Sequence, residues 1–118
     1  MHPQQQPTRE QAIAHFKSQI VQRELTLGFY EKQRKAKQLR FDVAALDQAR
    51  ARRLSVVDTE LKRAELVWQA EQLEFEASTG QLDMMIVQTK LEIEHFTSML
   101  KMAESTIVDP RTMGVSMQ

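Results

Sequence analysis

The stretch RRLSVVDTEL, residues 52–61, decides how this chain folds. Helix-forming sequence extends for tens of residues on both sides of it, so a turn here separates a hairpin from a rod. Ser55-Val56-Val57-Asp58 has the form of a capping box, a hydroxyl residue followed three positions later by an acid, which marks a helix N-terminus. No glycine or proline marks a turn there, which counts against it. The choice therefore rests on what the flanking segments do.

Both flanks read as helix. Pro7 precedes Thr8-Arg9-Glu10-Gln11, a capping box with Thr8 as N-cap and Gln11 reaching back. At the far end, Asp109-Pro110 is expected to stop the helix, because proline lacks the N–H and restricts its predecessor. No proline lies between Thr8 and Val108, and only Gly28 and Gly80, where kinks are expected, interrupt the helix formers. Aromatic residues make up 6% of the chain, and Gly and Pro number three each. Strand-rich folds need turn residues at frequent intervals, so the class is all-α. The reading is an extended tail over 1–7, a helical coiled-coil domain over 8–108 and an extended tail over 109–118.

Apolar spacing is clearest after the decisive stretch. Leu54, Leu61, Trp68, Phe75, Leu82, Thr89, Phe96 and Ala103 fall seven apart. Val57 and Ala64 accompany them at plus three, then Ile86, Ile93 and Leu100 at plus four. Alternating threes and fours form a coiled-coil seam, and the change of step predicts a stutter near Gly80. A second set, Leu66, Ala70, Leu73 and Ala77, lies off the seam, and a helix with two apolar stripes touches more than one neighbour. The first half is weaker: Ile13, Phe16, Ile20 and Leu27, then Leu39, Val43 and Leu46.

Charge favours the hairpin. Residues 31–53 hold eight bases (Lys32, Arg34, Lys35, Lys37, Arg40, Arg50, Arg52, Arg53) against three acids, while residues 54–109 hold eleven acids against four bases. Folding near residue 56 lays the two blocks side by side and brings Phe16 level with Phe96 and Leu39 level with Leu73. A parallel homodimer would stack like charges. The alternative is one continuous helix of about 100 residues in a multi-chain coiled coil, roughly 150 Å long at about 1.5 Å per residue, whose antiparallel pairing satisfies the same charges.

The basic block spreads around its helix instead of lining one face, and only Tyr30 and Phe41 interleave with it. That argues against a nucleic-acid groove and for neutralisation by acids of this chain or of an oligomeric partner. His15 and His95 come to one level in a hairpin near Glu92 and Glu94, but paired surface histidines are expected to be polar neighbours of a core, and no metal or other cofactor is expected. An internal echo, residues 13–20 against 93–100, repeats the Ile-x-His-Phe-x-Ser pattern. No catalytic motif is present: no HExxH, phosphate loop, nucleophile elbow or cysteine. With no cysteine there is no disulfide, and no apolar run approaches the roughly 18 residues of a membrane span. The first residues lack the pattern of a secretory signal, so cytoplasmic synthesis is expected. Met84, Met85, Met99 and Met102 are expected to fill the core. Met113, Val115 and Met117 alternate with small or polar residues, the period of a strand, and are candidate anchors on a partner's sheet edge.

These features imply a non-enzymatic coiled-coil subunit that oligomerises and bridges or clamps parts of a larger assembly, a virus or phage particle being one such setting. The alternatives are a coiled-coil adaptor or chaperone and, resting on residues 31–53 alone, a nucleic-acid-binding protein.

Overall fold

The computed structural model describes residues 8–116, with side chains as far as Ser105. It is a helical hairpin: α1 (Arg9–Leu54) turns through residues 55–57 into α2 (Asp58–Ser116), and no strand occurs among the described residues. The continuous-rod alternative is thereby excluded. The tail at residues 1–7 lies outside the described residues.

The turn needs no glycine, for a physical reason. No described residue has a positive φ. The chain reverses through backbone that β-branched Val56 and Val57 adopt readily, so the usual sequence markers are absent. The Leu61 N–H donates to the Val57 carbonyl at 3.0 Å, so Val57 opens α2 and the proposed Ser55 cap does not form. Asp58 and Glu60 stand in the first turn, where acids favour the positive end of the helix dipole. The Thr8 capping box does form: the Gln11 N–H donates to Thr8 Oγ1 at 3.1 Å and the Thr8 N–H to Gln11 Oε1 at 2.9 Å.

Gly28 and Gly80 both lie within helical segments. One expectation about a helix end needs correction. Asp109-Pro110 does not end α2, which runs to Ser116. A proline inside a helix removes one backbone hydrogen bond and costs about 3 kcal/mol, but the turns before and after it keep their own bonds. Met113 and Val115 are therefore helical, not strand-like, and Met117 lies outside the described residues.

The hairpin divides into two compact units: a terminal unit of Met1–Leu27 with Gln88–Gln118, and a turn unit of Gly28–Val87. In the turn unit, Phe41 stacks on Phe75 (centroids 4.0 Å apart, planes 15° apart) and on Trp68 (5.1 Å, 17°). Gln48 Nε2 donates to the Ala64 carbonyl at 3.2 Å, joining the helices close to the turn. In the terminal unit, Phe16 meets Phe96 at 6.3 Å, as hairpin pairing requires, with Ile13, Ile20, Leu27, Ile93 and Leu100 half-buried around them.

Neither unit closes a core. Among the described hydrophobic residues only Leu82 is buried, at 8% exposure. Two helices cover one stripe of each other and leave the remaining circumference to solvent.

Candidate interaction faces

The half-buried positions of α1 step by three and four without a break: Ile13, Phe16, Ile20, Arg23, Leu27, Tyr30, Arg34, Lys37, Phe41, Ala44, Gln48. This is a heptad seam with polar members. Leu39, Val43 and Leu46, which the apolar pattern assigned to the inner stripe, are exposed instead. Phe41 explains the exchange. Stacking it on Trp68 and Phe75 turns residues two away through about 160°, at 3.6 residues per turn, so Leu39 and Val43 face outward.

In α2 the expected seam holds from Leu61 onward: Trp68, Phe75, Ile86, Ile93, Phe96 and Leu100 are half-buried and Leu82 is buried. Leu54, assigned to the same seam, is exposed at the end of α1. The stutter does not occur as a rotation. Ser78, Met85, Glu92 and Met99 at plus three are covered together with Thr79, Ile86, Ile93 and Leu100 at plus four, so the covered face widens. Met85 and Met99 serve as half-buried fillers, whereas Met84 and Met102 are exposed.

Polar seam residues are accommodated by pairing. Arg34 Nε donates to Asp83 Oδ1 across the helices at 3.0 Å, its guanidinium sits 5.5 Å from the Phe75 centroid, and Nη1 donates to Gln38 Oε1. Gln38 passes the chain on to Asp42. In the terminal unit, Arg23 pairs with Glu92 at 3.3 Å and lies over Phe96. Each arginine thus buries its stem, satisfies its charge and covers a ring face. Thr79 Oγ1 donates to the Phe75 carbonyl at 2.7 Å, which is how a hydroxyl is tolerated at a buried position.

The basic block is only partly neutralised from within. Arg34 pairs with Asp83 and Arg52 with Glu65, at 3.4 Å. Among the described residues Lys32, Lys35, Lys37, Arg40, Arg50 and Arg53 make no ion pair. Nor do Glu74 and Glu76 of the acidic block. The expectation that acids of the second half neutralise the block is therefore met at two positions and not at six: Lys32, Lys35, Arg40, Arg50 and Arg53 are exposed, and Lys37 is half-buried at the seam without an acid partner.

His15 and His95 are exposed, each against its own neighbouring phenylalanine. Among the described residues, no group of three or more His, Cys, Asp or Glu is placed to hold a metal ion, and no helix is long and apolar enough to cross a membrane.

What remains is a pair of outward apolar stripes in the turn unit. On α2 the off-seam set extends further than its first four members: Leu66, Ala70, Leu73, Ala77, Met84 and Val87 are all exposed. On α1, Phe29, Leu39, Val43 and Leu46 are exposed with Ala36 half-buried among them. Leu73 stands about 160° from Phe75 around α2, so each stripe faces away from the other helix. No protein-family model, curated protein or solved structure matches this chain.

Proposed function

We propose that this chain is a non-enzymatic structural subunit, a helical hairpin that bridges or clamps components of a larger assembly, for which a virus or phage particle is a suitable setting. The observation that carries the proposal is the inverted distribution of apolar surface in the turn unit. Leu39, Val43, Leu46, Leu66 and Leu73 stand more than half exposed in two regular stripes, while Arg34 and Lys37 occupy the seam. Apolar residues scattered singly over a surface need no explanation, but a stripe at helical spacing marks an interaction face. A hairpin with one such stripe on each helix has two docking faces pointing in opposite directions, which is what a bridging part requires.

The test is a photo-crosslinking residue at Leu73 in the protein within its native source. A crosslinked product of defined composition supports the bridging role. Recovery of uncrosslinked, free chain under conditions where it is functional overturns it.

A further inference from the structure

We infer that the occupant of each outward stripe is a second copy of this chain, docked so that the outer face of α1 on one copy meets the outer face of α2 on the next. The inference rests on the bridging role and names its partner.

Charge complementarity carries it. The α1 stripe is rimmed by bases that the hairpin leaves unpaired: Lys35 on one side and Arg40 on the other, with Lys32 within the stripe. Beside this stripe lies an open groove of about 530 Å³, lined by Phe29, Lys32, Gln33, Ala36, Lys37 and Arg40. The α2 stripe is rimmed by acids that are equally unpaired, Glu74 and Glu76 on opposite sides of Leu73. A smaller groove there is lined by Gln69, Gln72, Leu73 and Glu76. Around Ala36 and Leu39 the α1 border is mainly cationic, with Asp42 the acid beside it, and around Leu73 and Ala77 the α2 border is anionic, so the same chain carries both.

Register agrees as well. Within the turn unit Arg34 lies beside Asp83, and Phe41 lies between Trp68 and Phe75. Lys37 and Arg40 are therefore at the level of Glu74 and Glu76. Two hairpins placed side by side in the same orientation bring Arg40 of one opposite Glu74 and Glu76 of the other, with Leu39 and Val43 against Leu73 and Ala70. The new contact is antiparallel, like the α1–α2 contact inside each hairpin. Because the two faces differ and point apart, the association is head-to-tail, and repetition builds a ring or a filament, not a closed two-fold dimer. Face-to-face α1–α1 or α2–α2 docking would set like charges together.

Sedimentation analysis of the purified full-length chain over about a hundredfold concentration range tests this, since association responds to concentration by mass action. Wild type should grow from the 13.7 kDa monomer to species larger than a dimer. Lys35→Glu with Arg40→Glu in one variant, and Glu74→Lys with Glu76→Lys in another, should each remain monomeric with unchanged helicity by circular dichroism. An equimolar mixture should assemble again, because each variant's altered face complements the other's. Wild type that stays monomeric, a closed dimer as the end point, or a mixture that stays monomeric would each overturn the inference. A monomeric wild type that still crosslinks from Leu73 to a different protein in the native source overturns the self-association and leaves the bridging role standing.

Discussion

The terminal and turn units solve the same packing problem with different ring packing. In the terminal unit the seam is mainly aliphatic, with Ile13, Ile20, Leu27, Ile93 and Leu100 half-buried around one loose aromatic contact at 6.3 Å. The turn unit packs its rings more closely, with Phe41 stacked on two partners; both units set an arginine, Arg23 or Arg34, against an acid and a ring, and both leave aliphatic residues outside, Leu25 and Leu91 in one, Leu39 and Leu73 in the other. A hairpin that needed only its own stability would place those aliphatic residues inward. In the turn unit those exposed positions form the two regular stripes on which the proposed bridging role rests.

The largest test of this comparison removes the stack. Phe41→Ala should destabilise the hairpin by about 2–3 kcal/mol in urea unfolding, and Phe16→Ala by about 1 kcal/mol, since the closer stacked pairs lose more contact. Equal losses would erase the distinction between the units. Arg34→Ala should cost about 1 kcal/mol, combining a partly exposed ion pair with a ring contact, and most of the ionic part should vanish in 1 M salt. A loss unaffected by salt would assign its role to packing alone.

Smaller effects sharpen the distinction. Gly80→Ala should stabilise the chain by about 0.5–1 kcal/mol, because Gly80 is helical and nothing lies within 4 Å of an added Cβ. Smallest of all, Leu39→Lys and Leu73→Lys should leave the dilute monomer's unfolding midpoint within about 0.5 kcal/mol of wild type. The same change at Ile20, inside the terminal unit, should cost more than 1 kcal/mol. If Leu39→Lys proves as costly as Ile20→Lys, the outer stripe is not an outer surface.

Much of this architecture is legible from residue patterns. The Thr8 cap, the α2 seam from Leu61 to Leu100 and the pairing of Phe16 with Phe96 all follow from spacing and hydrogen-bonding chemistry. The outward face of α2 was visible too, in Leu66, Ala70, Leu73 and Ala77. The α1 face was misassigned because Leu39, Val43 and Leu46 are more apolar than the Arg34, Lys37 and Gln48 that displace them from the seam. Hydrophobic periodicity identifies a stripe but carries no information about which of two opposed stripes faces the partner helix.

Residue patterns alone were enough for an all-α chain and for nearly every seam residue of α2 from Leu61 onward, because heptad spacing is a local property; charge asymmetry favoured a turn near residue 56 and left the rod open. Only the tertiary structure decided which side of α1 faces inward. That choice depends on Phe41 fitting between Trp68 and Phe75, a contact between residues far apart in sequence. Through it, Lys32, Lys35, Arg40 and the apolar stripe of α1 face solvent, and the proposed assembly of the protein rests on them together with the stripe of α2.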